Sequence, residues 1–400
     1  MRSSFRTCSG QILKESLQES HRQTVLLLSC LAEQLTHSKL AVPFQENLNP
    51  PLWEFGHVGW FKEYWTVRNH QRHQGSSLLE SDMHFDPSML PMADTLFNSA
   101  TVPHEHRWQL PLLGVAGVKD YLDTVHDRML ESLESDLKAE SSLYFYQLTL
   151  AHEWMHQEAF LMAGQEMALT LPGLAPTLRR PPHEPASRSI FCPDQTIDVR
   201  ANPKEFHFDN ESVALTVNVA AFEVDTHPVS LGEFWDFVTD GGYQSRALWS
   251  AAGWEWRCSQ QITGPAALKQ TDQGLIRRWG AEWITADPLV PMALLNFYEA
   301  SAWCAWAKRR LLTEAEWCVA EAAGISWGDV WEWTSDPFRP FPGFEPHPYR
   351  DYSAPWFNDH WVLKGSSWAT HPMLRDQRMR NFYRPHRRDV FAGFRSAVSC

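Results

Sequence analysis

The stretch Leu148-Thr-Leu-Ala-His152-Glu-Trp-Met-His156-Gln-Glu-Ala-Phe160 carries both the period and the chemistry that decide the first half of the chain. His152 and His156 stand four apart, so on a helix they occupy successive turns of one face and can grip one metal ion. Leu148, Ala159 and Phe160 share that face and turn it inward, where each imidazole brings a donor and an acceptor that need partners. Glu158 lies about 200° around the helix from His156 at roughly 100° per residue, so a third ligand is expected from another helix. His70, His73, His84, His104, His106 and His126 precede the motif. His57, inside Leu52-Trp-Glu-Phe-Gly-His-Val-Gly-Trp-Phe61, stands out because its helix is apolar throughout. Three neutral imidazoles with open positions suit zinc hydrolysis or oxygen activation at iron(II). The likeness to the His-Glu-x-x-His of zinc proteases is read as superficial.

Working outward, residues 10–36, 52–70, 118–135 and 141–167 repeat apolar residues at three and four, as in Val118, Tyr121, Leu122, Val125, Met129 and Leu133. They predict a four-helix bundle, with a long loop over 71–117 that holds Pro87, Pro91, Pro103 and Pro111. Leu171 to Ser187 is too rich in proline for helix or central strand and reads as a linker. Only five of the 20 Trp precede residue 200; the other fifteen follow it, among short apolar runs such as Val213 to Val219. The chain is therefore expected to be α+β, with a helical domain over 1–175, a linker over 176–205 and a second, irregular domain over 206–400.

The balance of 35 Lys+Arg against 48 Asp+Glu gives a net charge of −13, which argues against a polyanion binder, so no nucleic-acid partner is expected. No run reaches the roughly 18 apolar residues that span a bilayer, and the first ten residues lack an apolar leader core. With seven Cys scattered and never in Cys-x-x-Cys, a cytoplasmic protein without a membrane partner is expected.

Phe222 to Phe237, Phe297 to Trp306, Arg310 to Trp317, Gly328 to Ser335, Leu363 to Trp368 and Ala392 to Arg395 together resemble the formylglycine-generating-enzyme fold, a relative of C-type lectins. Joined to a bundle with His57, His152 and His156, the whole chain resembles the sulfoxide synthases of ergothioneine biosynthesis, a DinB-like bundle fused to such a domain. The resemblance implies a nonheme iron(II) on His57, His152 and His156, O2 as co-substrate, and hercynine as the molecule that accepts a chalcogen at imidazole C2. It also implies that Asn381, in Arg380-Asn-Phe-Tyr383, helps hold the hercynine imidazole. Phe382 and Tyr383 are candidates for its quaternary ammonium, and Arg380 for its carboxylate.

The departures from that family bear on the donor. Phe97-Asn-Ser99 is followed by Ala100-Thr101 where many members have two tyrosines, and Phe338 and Phe341 stand where others have a Tyr-x-x-Tyr-Pro block. The basic stretch for a donor carboxylate is reduced to His104-Glu-His-Arg107-Trp108. This pattern is more like the selenoneine synthases, which couple hercynine to a selenosugar, and carbon–selenium bond formation is the first expectation. Carbon–sulfur formation with cysteine or γ-glutamylcysteine is the alternative, and a non-catalytic lectin-like protein the reading outside that family. No proton donor can be named from the sequence.

Overall fold

The computed structural model describes residues 4–36, 40–174, 178, 189–199, 202, 204–212 and 215–400. The chain forms two compact units, and neither is continuous in sequence. Met1–Gly164 takes Asn202–Asp209 and Glu345–Tyr352 into the first; Gln165–Ala201, Asn210–Phe344 and Ser353–Cys400 form the second. A division at one linker does not capture this, because two short segments from later in the chain pack with the bundle.

In the first unit, α1 (Gly10–Gln34) buries Leu13, Leu17, Thr24, Leu28 and Leu31, the three- and four-residue spacing of an amphipathic helix. Next, α2 (Pro51–Lys62) starts with proline at its first position and is buried nearly all round from Trp53 to Lys62. It runs on into a single π-helical turn, Glu63–Val67. Gly56 is required here. A Cβ on it would lie 2.2 Å from the Phe97 ring, so glycine lets the short helix α3 (Ala93–Phe97) press onto α2. Asp94 of α3 is held by both terminal nitrogens of Arg68, at 2.7 and 3.0 Å, and by the Trp60 indole at 2.7 Å. The long 71–117 segment is thereby fastened to α2. Two further helices, α4 (Val115–Lys138), which buries Val118, Tyr121, Leu122, Val125, Met129 and Leu133, and α5 (Tyr144–Glu166), complete the bundle.

The second unit opens with β1 (Ser189–Cys192) and β2 (Gln195–Val199), both inside the stretch expected to be linker. Ile190, Cys192 and Ile197 have apolar partners in the core with Phe222 and Val224, and that burial makes strands of them. The proline-rich part of the expected linker lies outside the described residues, except residue 178. The chain continues through β3 (Leu215–Val219), β4 (Phe222–Asp225), α6 (Leu231–Thr239), α7 (Ala251–Ser259), β5 (Leu268–Thr271), β6 (Gly274–Trp279) and β7 (Glu282–Thr285). Then come α8 (Phe297–Trp306), β8 (Arg310–Leu311), α9 (Glu314–Ala322), β9 (Trp331–Pro337), β10 (Trp361–Gly365), β11 (Asn381–Tyr383), β12 (Ala392–Phe394) and β13 (Ser396–Ser399). The sheets have the orders β1-β4-β13-β8, β11-β10-β9-β12, β2-β3 and β5-β6-β7.

The sequence blocks shared with formylglycine-generating enzymes do structural work in this unit. Ser230 with Glu233, Asn296 with Glu299 and Thr313 with Glu316 form capping boxes that start α6, α8 and α9. Trp317, Trp331 and Trp333 are fully buried. The Glu332 carboxylate beneath them accepts from the Trp317 indole at 2.9 Å and from two nitrogens of Arg395 at 2.8 and 3.0 Å. Cys304 is buried and Cys318 half-buried in this core, where each thiol is pushed above its ordinary value by burial. No described helix is long and apolar enough to cross a membrane.

Candidate metal centre

The first unit brings His57 of α2 together with His152 and His156 of α5. One nitrogen from each of the three lies within 4.8 Å of the other two. The Nε2 atoms of His57 and His152 are 3.2 Å apart. Two nitrogens bound at adjacent positions of one ion, at roughly 2.1 Å each, stand about 3 Å apart. The spacing therefore suits a shared metal.

The surroundings fix which nitrogen two of the rings offer. His57 Nδ1 donates to the Phe97 carbonyl at 2.8 Å, which leaves its Nε2 lone pair free. That carbonyl arrives because Gly56 admits the Phe97 ring. His156 Nδ1 meets the Glu54 carboxylate at 2.7 Å, the carboxylate–histidine arrangement that orients metal ligands and raises their basicity. His152 lies flat on the Phe61 ring, centroids 3.6 Å apart and planes within 7°. Trp53 stacks on His57 in the same way at 5.1 Å. Burial, and then the neighbouring rings, hold His57 and His152 well below the ordinary imidazole value. They stay neutral, the form that binds metal. His57 and His152 are buried, whereas the side chain of His156 is 18% exposed, which leaves an approach to the cluster.

Glu153 completes the literal spacing of His-Glu-x-x-His, but it turns away from the three rings. Its carboxylate takes a hydrogen bond from Lys62 at 3.1 Å and another from Thr24 at 2.9 Å, with both charged side chains 1% exposed. Both bonds fall on Oε1, so the carboxylate is held inside the bundle by Lys62 and Thr24 and away from the position of a general base beside a metal. The superficial likeness to zinc proteases thus has a physical reason.

One group of this site was not legible in the sequence. Tyr349, carried by the returning segment Glu345–Tyr352, packs edge-on against Phe61 at 4.8 Å and against His152 at 6.4 Å. Burial first, then Asp351, Asp209 and Glu80, push its phenol above the usual range, so it keeps its proton at any working pH. A phenol therefore does stand beside the triad, although Phe338 and Phe341 occupy the positions where the sequence pattern looked for one.

The remaining predicted residues divide. Arg107 belongs to the unit of the triad and its charge is felt at His57. Its guanidinium lies 3.8 Å over Trp53 and donates to Asn49 and to the carbonyls of Ser99 and Val102. Burial pulls it down to about 10, which leaves it cationic. Much of its donor capacity is spent on shaping the loop. Arg380, in the second unit, is buried in an ion pair with Glu314 at 2.8 Å, donates to the carbonyls of Asn210 and Arg339, and lies 4.0 Å over Phe341. Its charge is matched by Glu314, a pairing with which the expected role of holding a ligand carboxylate would compete. Asn381, Phe382 and Tyr383 form β11 and are half-buried. Asn381 Oδ1 accepts from the Phe382 amide at 2.9 Å, and its Nδ2 has no hydrogen-bond partner among the described residues. Phe382 stacks on Phe338 at 4.1 Å.

Comparison with known proteins accounts for both halves. The DinB superfamily matches residues 20–160, and the sulfatase-modifying factor enzyme 1-like domain matches residues 176–327 and 326–400. A hercynine oxygenase of Mycobacterium tuberculosis is 31% identical over 412 aligned positions, covering 90% of this chain and 93% of that protein. A hercynine oxygenase of Mycolicibacterium thermoresistibile is also 31% identical, covering 88% of this chain and 87% of its own. A formylglycine-generating enzyme of Thermomonospora curvata is 28% identical over 170 residues, 38% of this chain and 55% of that protein. Similarity over about nine-tenths of the chain to the first two shows that the chain belongs to the hercynine oxygenase family.

Proposed function

We propose that this chain is an iron(II)- and O2-dependent enzyme that joins a thiol donor to C2 of the hercynine imidazole, the reaction type of the ergothioneine sulfoxide synthases. The observation that carries the proposal is the convergence of one nitrogen from each of three imidazoles, within one bundle, in a chain whose full-length relatives are hercynine oxygenases. His57, His152 and His156 would hold the metal, with Glu54 and the Phe97 carbonyl fixing two of the rings. The metal, when bound, supplies the binding and activation of O2.

The other groups have roles that follow from their chemistry. Tyr349 holds a transferable proton beside the triad and supplies it where negative charge develops. Asn381 offers an amide N–H to an imidazole nitrogen, and Phe382 and Tyr383 offer aromatic faces to a quaternary ammonium, which neither donates nor accepts an ordinary hydrogen bond. A selenosugar donor is the second reading. Phe338 and Phe341 in place of phenols favour it, as does an Arg107 whose donors are largely taken by Asn49, Ser99 and Val102, because a sugar needs no carboxylate clamp. Tyr349 weakens it by restoring the phenol.

The test offers the iron-loaded protein hercynine and O2 with cysteine, γ-glutamylcysteine and a 1-selenosugar in parallel, and follows products by mass. Sulfur-containing adducts that disappear with His57→Ala or His152→Ala are expected. Turnover with the selenosugar alone moves the assignment to the second reading, and no oxygen-dependent product with any donor overturns both.

A further inference from the structure

Among the described residues of the second unit, three arginines are buried: Arg277, Arg380 and Arg395. Arg380 is paired with Glu314 and Arg395 with Glu332. Arg277, on the central strand β6, is 4% exposed, and its Nε and Nη1 have no partner. Burial pulls it down to about 9, and no acidic group among the described residues acts on it. An uncompensated buried guanidinium is a liability that a folded chain removes by pairing or by exposure. Here neither has happened.

The side chains next to it share the same shortage. Arg277 lies 4.2 Å over the ring of Trp279, two residues beyond it on the same face of β6. Trp279 in turn meets Trp368 edge-on at 4.8 Å, and Trp368 packs on Phe391 at 4.3 Å. The Trp368 indole N–H is buried without a partner, and so is the hydroxyl of Ser366, two residues earlier at the end of β10. Trp368 is only half-buried as a residue, so the cluster reaches the surface. The unfilled groups of Arg277 and Trp368 are donors only. What they lack is an acceptor with negative charge and two oxygens, which a guanidinium fork binds best.

We propose that Arg277, with Trp279 as its platform and the Trp368 indole as a second donor, binds the carboxylate of a small-molecule ligand in the second unit. The betaine and a cysteine-type donor both carry that group, so the assignment of the ligand rests on the function proposed above, while the site itself does not.

Binding is measured on the full-length protein by calorimetry and tryptophan fluorescence, for wild type, Arg277→Met and Arg277→Lys. The probes are two pairs that differ only in the carboxylate: hercynine with its decarboxylated counterpart, and cysteine with cysteamine. Wild type is expected to prefer the carboxylate-bearing member of one pair by about tenfold or more. That pair identifies the ligand. Arg277→Met removes the preference and Arg277→Lys restores part of it, while the ligand-free Arg277→Met protein melts no lower than wild type, because a buried unpaired charge has been removed. No carboxylate preference in wild type overturns the site, as does a preference that survives in Arg277→Met, or a variant that melts several degrees lower with unchanged binding. Hercynine that binds while neither pair shows such a preference overturns the site and leaves the function standing. Failure of hercynine to bind at all, beside a preference within the cysteine pair, overturns the function and leaves the site.

Discussion

Glu54→Gln isolates what the carboxylate behind His156 contributes to metal binding. The Glu54 oxygen is 2.7 Å from His156 Nδ1, and Glu54 is 4% exposed, so water does little to screen the pair. Gln keeps a carbonyl oxygen in the same place and loses only the charge. A hydrogen bond to a charged group contributes about 1.5–3 kcal/mol and a neutral one about 0.5–1.5. The difference is about 1–1.5 kcal/mol, or roughly tenfold in metal affinity. Glu54→Ala also frees the ring to rotate and removes the acceptor, so a loss approaching 100-fold is expected, the upper end for such partners. Anaerobic titration of the metal-free protein with iron(II), and with cobalt(II) read by its visible absorption, measures both. A graded series of wild type, Gln and Ala supports an orienting carboxylate. Affinities within about twofold of one another would refute it.

The Lys62–Glu153 pair lends itself to a double-mutant cycle. Lys62→Met alone leaves a buried carboxylate uncompensated and costs about 3–5 kcal/mol in denaturant unfolding of the metal-free protein, whereas Lys62→Met with Glu153→Leu returns most of it; additive losses would mean the two do not act as a pair. His126, stacked on His21 at 4.1 Å, is pulled down to about 2, foremost by burial and then by Lys62. The unfolded chain therefore takes up a proton below about pH 6.5 that the folded chain refuses. Stability falls as pH drops, by about 1.4 kcal/mol per pH unit from this group, and His126→Gln should flatten the pH dependence between about 6.5 and 4.5 by that slope; an unchanged slope counts against it. Tyr349→Phe keeps the ring packing on Phe61 and removes only the proton. Metal affinity should hold, while turnover with a thiol donor falls by about 100-fold or more; unchanged turnover would remove Tyr349 from the reaction.

What the sequence revealed follows from which interactions are local. The bundle helices were readable because Val118, Tyr121, Leu122 and Val125 repeat with the period of a single helix, and that period needs no knowledge of the rest of the chain. His152 and His156 were readable for the same reason, and His57 because a polar ring amid Trp53, Phe55, Trp60 and Phe61 has no other excuse. Glu54 was visible as a neighbour but not as a partner, since its contact with His156 crosses from α2 to α5. The ion pair of Arg380 with Glu314 was not visible because a motif gives the neighbourhood of a residue and not its partner across the fold. Arg277 carried no signal at all. Next to Arg278 in a short alternating strand it looks like a solvated pair, and only the absence of an anion around it among the described residues makes it informative.

Tyr349 was missed for the opposite reason, and the miss bears on the chemistry. Sequence reasoning asked whether particular positions held tyrosine and found Phe338, Phe341, Ala100 and Thr101. Folding asks a different question, which is whether any phenol reaches the rings. Phe338 is fully buried between Phe357 and Phe382, so a hydroxyl there would have to be bonded within that packing. The phenol at Tyr349, in contrast, sets its ring edge against His152. The inference that the chain lacks an acid, and hence needs a more easily oxidised chalcogen, depended on position rather than on chemistry. Once Tyr349 is counted, the choice between sulfur and selenium rests on how the donor is held, and Arg107 becomes the residue to question. If a thiol amino acid is the donor, Arg107→Met should raise its KM while leaving that of hercynine unchanged. If a selenosugar is the donor, the same change should move neither.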